Sequence, residues 1–142
     1  MKISARNVFT GRITTVVDGA VNAEVELTLA GGDRIVAIVT EGSVKSLGLA
    51  VGKDAVAYVK APWVILLTGE ANVRFSARNQ LTGIVTRLSK GAINAEVGIQ
   101  LSGGTMVYAV ITNEAALELG LKEGVTATAL IKASHVVLGV PA

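Results

Sequence analysis

The chain has 142 residues, of which 51% are hydrophobic and 17% charged, a balance that excludes an intrinsically disordered protein. Its 13 basic and 11 acidic residues give a formal net charge of +2 without a basic run, which excludes a surface that wraps a polyanion but allows a small anion. There is no cysteine, so disulfide bonds and thiolate metal sites are excluded.

The first residues, MKISARNVFTG, lack the apolar stretch of a signal peptide. No apolar run approaches the roughly 18 residues that a membrane-spanning helix needs. We therefore expect a cytoplasmic protein without a membrane segment.

The first half of the chain predicts β-strands in close succession. Residues 3–17 predict a first strand, and apolar residues alternate with polar ones over 24–29, the period of two that marks a strand with one buried face. Gly31-Gly32 predicts a turn, and the alternation continues over 35–39 as a hairpin partner. These elements form the first part of a β-rich unit.

A short helix is predicted after this hairpin. Residues 41–52 read EGSVKSLGLAVG and residues 113–124 read NEAALELGLKEG, the second with Ala, Leu and Glu at helical spacing before a glycine stop. A last strand is predicted over 54–67 and again over 126–139.

The second half of the chain repeats the first. Shifted by 72 positions (76 − 4 = 72), residues 4–70 align with 76–142 without a gap, and about 28 of the 67 pairs are identical. The element order of each repeat is typical of a small Greek-key barrel of the OB type. The sequence therefore predicts an all-β fold with one short helix per repeat, arranged as two tandem OB-type Greek-key barrels that each close by themselves.

We place the first domain at 1–69, the linker at 70–72 and the second domain at 73–142. Glycines recur at equivalent positions of the two units, and we interpret them as turn residues that need positive φ. In the first repeat they are Gly11, Gly19, Gly31, Gly32, Gly48 and Gly52.

Repeated polar residues point to a small anion. They are Ser4, Arg6, Asn7, Thr40 and Lys60 in the first repeat and Ser76, Arg78, Asn79, Thr112 and Lys132 in the second. Arginine, lysine and hydroxyl donors suit an oxyanion that accepts hydrogen bonds and offers none. The alternatives are surface ion pairs for the arginines and aggregation-blocking strand-edge positions for the lysines.

Two further repeated residue types allow simpler interpretations. Glu24 and Glu96 are the repeated carboxylates, and we expect both on the solvated outer face of a strand. Asn22 and Asn94 either cap the turn after the preceding glycine through an Asx hydrogen bond or contact a ligand.

No catalytic or metal-binding motif is present. The single histidine, His135, aligns with Trp63, so the repeats do not share it, and we expect it at a barrel edge. The sequence has no phosphate-binding loop, no serine with a histidine partner in both halves and no cluster of metal-ligating residues. We therefore expect neither an enzyme nor a metal-cation site, and no organic cofactor.

The motifs SARN, NAEV, T-x-x-[SA], LGL and KA, at this spacing, resemble the Mop domain of molybdate-binding proteins, a member of the Mop/TOBE group, and their tandem copy resembles the molbindins. The resemblance covers essentially the whole chain. It implies an OB-type barrel for each half, a homotrimer, and molybdate or tungstate held at subunit or domain interfaces for storage and homeostasis in the cytoplasm.

The resemblance also implies a set of binding residues. In the family's main site, Ser4 and Arg6 of one unit would meet Thr40, Ser43, Lys60 and the backbone N–H of Ala61 from another. The equivalent residues of the second copy are Ser76, Arg78, Thr112, Ala115, Lys132 and Ala133. Ala115 replaces Ser43, so one hydroxyl is missing and only the backbone N–H donates there. Asn22 and Asn94 are the candidates for a second type of site on the trimer axis.

Three other functions stay open. The first is an oxyanion-responsive regulatory module that acts through a protein partner. An OB-fold nucleic-acid binder would need aromatic platforms and a basic groove, whereas none of the five aromatic residues recurs as the same residue in the other copy. A structural oligomer without ligand would use Arg6 and Lys60 to bridge subunits.

Overall fold

The computed structural model describes residues 1–142 and builds each repeat from the same elements. The first repeat contains β1 (Asn7–Asp18), β2 (Asn22–Leu29), β3 (Arg34–Thr40), α1 (Glu41–Leu47), β4 (Asp54–Val59), a 3-10 turn (Ala61–Trp63) and β5 (Ile65–Leu67). The second contains β6 (Asn79–Lys90), β7 (Asn94–Leu101), β8 (Met106–Thr112), α2 (Asn113–Glu118), β9 (Thr126–Ile131), a 3-10 turn (Ala133–His135) and β10 (Val137–Gly139). The predicted β-rich fold of two tandem OB-type units with one short helix each is confirmed.

The strands form two curled five-stranded antiparallel sheets that exchange their shortest strands. The orders are β10-β4-β1-β2-β3 and β5-β9-β6-β7-β8. Leu138 of β10 lies opposite Ala57 of β4, and Leu66 of β5 lies opposite Ala129 of β9. Each repeat therefore completes the sheet of the other, and the expectation that each barrel closes by itself was wrong. The boundaries at 1–69, 70–72 and 73–142 stay a prediction about the sequence units.

The exchange begins at a break in the predicted last strand. The pattern over 54–67 predicted one strand, but the 3-10 turn at Ala61–Trp63 interrupts it, with Trp63 N–H donating to the Lys60 carbonyl at 3.0 Å. Pro62 suits the first turn because its missing N–H would have no partner there. Ser134 stands at the same place in the second repeat and the turn still forms, so proline is not required.

Both repeats contribute to one hydrophobic core of 27 buried residues. In β2 the residues Ala23, Val25, Leu27 and Leu29 are buried while those between them are half-buried, as the alternation predicted. The half-buried residues lie on the other face of the β2–β3 hairpin, where the other repeat can contact them.

The two helices begin and end as the sequence indicated. Thr40 and Thr112 are the N-cap residues, and the left-handed Gly48 and Gly120 follow the helices with φ of 64° and 66°. Neither helix is long and apolar enough to span a bilayer.

Glycines also mark where the repeats meet. Gly32, Gly48 and Gly52 have the predicted positive φ, but the same prediction was wrong for Gly11, Gly19 and Gly31. A Cβ on Gly31 would collide with the backbone carbonyl of Gly103, its own counterpart. Trp63 also meets its counterpart His135, with ring centroids 4.9 Å apart. Because equivalent residues meet, an approximate twofold axis relates the repeats.

Candidate functional site

The SARN segments cross from each repeat to the other. The Asn7 side chain is 1% exposed; its Nδ2 donates to the Tyr108 carbonyl at 2.8 Å and its Oδ1 accepts from the Tyr108 N–H at 2.7 Å. Asn79 makes the same two bonds with Val36, both at 2.8 Å, and a third to the Ile131 carbonyl. The asparagines therefore join the repeats, a role that sequence reasoning missed although their repetition pointed to some shared role.

The arginine before each asparagine lies on the same cross-repeat surface. Arg6 donates to Glu96 through Nη2 at 3.0 Å and Nε at 3.4 Å, and its guanidinium lies 4.0 Å from the Tyr108 ring centroid. The hydrogen bond to Glu96 raises the pKa of Arg6 above its ordinary value, so Arg6 stays cationic throughout the accessible pH range. Arg78 forms the equivalent ion pair with Glu24.

These contacts correct one expectation and bear on another. Glu24 and Glu96 were expected to be solvated, but their side chains are only 29% and 27% exposed and each pairs with an arginine. The sequence allowed two interpretations of the repeated arginines, anion binding or surface ion pairs. Within the single chain, both arginines form ion pairs.

The lysines lie beside the arginines of their own repeat. Asn7 is opposite Val59 in the β1–β4 register, so Arg6 and Lys60 flank the same pair of residues. Arg78 and Lys132 flank the pair of Asn79 and Ile131 in the same way. Neither lysine makes an ion pair within the chain. The resemblance implied that Arg6 and Lys60 come from different units, whereas this register places both on one repeat.

The threonines come from the opposite repeat. Thr112 pairs with Asn94 at the end of the β7–β8 hairpin, and Glu96 follows Asn94 on the same face. Two residues of strand span about 7 Å, so the Asn94 and Thr112 pair lies about that far along the face from the Arg6–Glu96 pair. The adjacent 3-10 turn Ala61–Trp63 packs against β8 as well.

The strand register and the cross-repeat ion pairs divide the predicted residues into two equivalent sets, each drawn from both repeats, which we call the Arg6 cluster and the Arg78 cluster. The Arg6 cluster comprises Ser4, Arg6, Lys60 and Ala61 of the first repeat with Asn94, Glu96, Thr112 and Ala115 of the second. The Arg78 cluster comprises Ser76, Arg78, Lys132 and Ala133 of the second repeat with Asn22, Glu24, Thr40 and Ser43 of the first. With one arginine, one lysine and one glutamate, each has a formal charge of +1 + 1 − 1 = +1.

The hydroxyl groups of the clusters are already ordered by the helix caps. Thr40 Oγ1 accepts from the Ser43 N–H at 3.1 Å and lies 2.9 Å from Ser43 Oγ, to which it donates. Thr112 Oγ1 accepts from the Ala115 N–H at 3.0 Å. The Ser43 and Thr112 hydroxyl hydrogens have no acceptor within the chain, so they are available to an external acceptor.

The asparagines at 22 and 94 do not cap the preceding turns. Their side chains make no hydrogen bond within the chain, and both residues are exposed. The Gly19 N–H donates instead to Glu41 at 3.2 Å, and the Asn113 side chain donates to the Gly91 carbonyl at 2.9 Å. The Asx interpretation was therefore wrong, and the two side chains remain candidates for a ligand contact.

The clusters are not identical. Tyr108 lies under the Arg6 guanidinium, whereas Val36 occupies the equivalent position in the first repeat, and Ala115 replaces Ser43. A groove of about 480 Å³ runs beside Arg6 between β1 and the Gly103-Gly104 turn. His135 lies against Trp63 rather than in a cluster, and nowhere in the chain do three His, Asp or Glu side chains come close enough to hold a metal ion.

Comparison with known proteins shows the family and fold to which the chain is similar. The TOBE domain model matches residues 3–66 and again 76–138. A solved structure described as the cytoplasmic molybdate-binding protein ModG, with molybdate bound, is 57% identical and superposes with a TM-score of 0.95 over 99% of this chain and 100% of that chain.

Curated relatives share the repeats but are longer. The molybdenum-pterin-binding protein MopA of Rhodobacter capsulatus is 46% identical over 99% of this chain and 53% of its own length. The DNA-binding transcriptional dual regulator ModE of Escherichia coli (strain K12) is 36% identical over 97% of this chain and 52% of its own length. The chain therefore spans about half the length of these curated relatives.

Proposed function

The chain belongs to the TOBE domain family in its Mop form, and from that premise we propose that it binds molybdate, or the similar tungstate, as an intact oxyanion. The binding serves storage and homeostasis in the cytoplasm. The anion leaves chemically unchanged, and no organic cofactor takes part.

The observation that carries this proposal is the pair of equivalent clusters. In each, the lysine, the serine of SARN and one further hydroxyl hydrogen have no partner within the chain. That hydrogen belongs to Thr112 in the Arg6 cluster and to Ser43 in the Arg78 cluster, since Thr40 donates to Ser43. A fully deprotonated dianion accepts from all of these groups. The likeness to a molybdate-bound structure at 57% identity supports the choice of anion.

We further propose that a homo-oligomer, a trimer, completes the sites at its subunit interfaces. Ser4 and Lys60 are exposed in the single chain. Val21 and Ile93, which precede Asn22 and Asn94, are 72% and 73% exposed. A second chain on this apolar rim would bury it and supply further donors to the anion, so ligand and assembly would stabilise each other by mass action.

The test is a calorimetric titration of the dialysed protein with molybdate, with sulfate as competitor and the oligomer mass measured in the same buffer. We expect more than one molybdate ion to bind per chain, and we expect sulfate at the same concentration not to displace it. Absence of heat at any protein concentration, with an unchanged mass, would refute the proposal.

A second candidate function is an oxyanion-responsive regulatory module. The relatives called ModE include a DNA-binding regulator of which this chain matches about half. In that case the chain would act through a protein partner rather than through direct contact with nucleic acid, since its charge is nearly balanced. A pull-down with and without molybdate, together with a gel shift on duplex and single-stranded DNA, separates regulation from storage.

A further inference from the structure

One acidic residue and one arginine stand out when the two repeats are compared. Glu24 and Glu96 are the only acidic residues identical in both copies, and Arg6 and Arg78 are the only identical arginines. The structure pairs them across the repeats, Arg6 with Glu96 and Arg78 with Glu24. A duplication that has changed more than half of its positions has therefore kept both members of this ion pair twice.

The ion pair occupies donors that an anion would need. Glu96 takes the Nε and Nη2 donors of Arg6, at 3.4 and 3.0 Å, and these two groups form one of the edges with which arginine binds an oxyanion. Glu96 also follows Asn94, the strand partner of Thr112, by two residues, or about 7 Å, on the same face of β7. An entering dianion therefore meets a fixed negative charge and an arginine that is already engaged.

We propose that Glu24 and Glu96 are internal competitors of the bound anion. In the empty cluster each carboxylate holds its arginine, and a dianion binds by taking guanidinium donors from it while remaining close to its charge. The glutamates thus lower the affinity and keep the anion releasable. This inference rests on the proposed function, because it takes the arginines to be ligands of the anion.

A purely structural role for the glutamates predicts a different response. If they only order the arginines, their removal weakens binding of every tetrahedral anion by a similar factor. Electrostatic competition instead scales with ligand charge, so its removal strengthens binding, and the change in log Kd is twice as large for a dianion as for a monoanion.

The experiment compares molybdate with perrhenate, a tetrahedral monoanion, in calorimetric titrations of the full chain and its Glu24→Gln and Glu96→Gln double variant. For a unit charge about 7 Å away, we expect molybdate to bind about tenfold more tightly in the variant and perrhenate about threefold. Thermal unfolding of each sample checks that the fold is retained.

Glu26→Gln is the matched control. Glu26 lies two residues along the same face of β2 and pairs with Arg34 at 3.5 Å, but it is farther from Asn22 and Thr40. The Glu26→Gln variant removes one charge from the same strand, about 14 Å from Asn22. Because this distance exceeds the Debye length of about 8 Å at physiological ionic strength, molybdate affinity should change by less than twofold. If the double variant does not fold, the two single variants are compared with Glu26→Gln, each leaving the other cluster intact.

The outcomes separate the two proposals. If the wild type binds molybdate and the affinity of the variant is lower, unchanged, or changed by the same factor for both anions, the competitor role is overturned. The proposed function is unaffected by that result. Absence of molybdate binding by both wild type and variant removes the proposed function and this inference with it. Binding by the variant alone supports both.

Discussion

The side chain of Asn7 forms two hydrogen bonds with the backbone of Tyr108, 101 positions later in the chain, at 2.8 and 2.7 Å. The amide thereby satisfies the outward-pointing N–H and C=O of a residue in β8, the last strand in its sheet. A short side chain from one repeat thus forms the backbone hydrogen bonds that a neighbouring strand would otherwise form with the edge strand of the other repeat.

Replacing this amide should destabilise the protein. Asn7→Ala leaves the Tyr108 N–H and C=O without their partners, and we expect the free energy of unfolding to fall by about 2–4 kcal/mol. Urea denaturation followed by circular dichroism measures the change. Asn72→Ala, at an exposed linker position without a side-chain hydrogen bond, should change it by less than about 0.5 kcal/mol. Equal effects of the two variants would contradict the role assigned to Asn7.

Removing the exchanged strand β10, which comes from the second repeat in sequence, should destabilise the sheet of the first repeat. Deletion of residues 137–142 removes β10, which pairs with β4. Hydrogen–deuterium exchange should therefore become faster in β4 of the first repeat, while β9, which pairs with β5, keeps its protection. Faster exchange confined to 126–136 would show that the last strand serves its own repeat.

The repeated arginines should be needed for anion binding but not for folding. Arg6→Ala with Arg78→Ala removes a charge-assisted hydrogen bond from each cluster, worth roughly 1.5–3 kcal/mol. We expect molybdate affinity to fall by at least about tenfold, measured by calorimetry, with thermal unfolding confirming a folded protein.

Arg12→Ala is the matched control for the arginine double variant. Arg12 also forms an ion pair, with Asp54 at 3.5 Å, but its side chain is 67% exposed and lies outside both clusters. Molybdate affinity should be unchanged in this variant. A loss equal to that of the double variant would mean that overall charge, not position, governs binding.

Restoring the missing hydroxyl should make the clusters more alike. Ala115→Ser places a second hydroxyl beside Thr112, as Ser43 stands beside Thr40, and one added hydrogen bond of about 1 kcal/mol should tighten the weaker site about fivefold. Ser43→Ala should weaken the other site by a similar factor. Two-site fitting of the titrations checks both, and an unchanged affinity in both variants would place these positions outside the anion's reach.

The local elements were predictable because local chemistry determines them. The alternation around Val25 and the glycine after each helix predicted β2 and the end of α1 within a few residues. Thr40 was identified as a site residue from its repetition, and the structure shows that it also caps α1. Repetition marked such positions without saying which role each residue fills.

The parts that the sequence did not predict are those that join the repeats. Residues 65–67 carry the same apolar pattern whether they pair with β4 or with β9, so the pattern cannot reveal the exchange. The alternation in β7 places Glu96 on the outward face, but it does not reveal that Arg6 of the other repeat is its partner. Long-range partners of this kind leave no trace in periodicity, because the pattern of one strand reports burial and not the identity of the neighbour.

The exchanged strands also give the linker a thermodynamic role. Each repeat needs a strand from the other, and the segment between β5 and β6 keeps the two repeats at a high effective concentration, so the pairing is an intramolecular step. Cutting the chain between residues 70 and 72 would turn the same pairing into a bimolecular equilibrium. The stability of the cut protein would then depend on dilution, whereas that of the intact protomer would not.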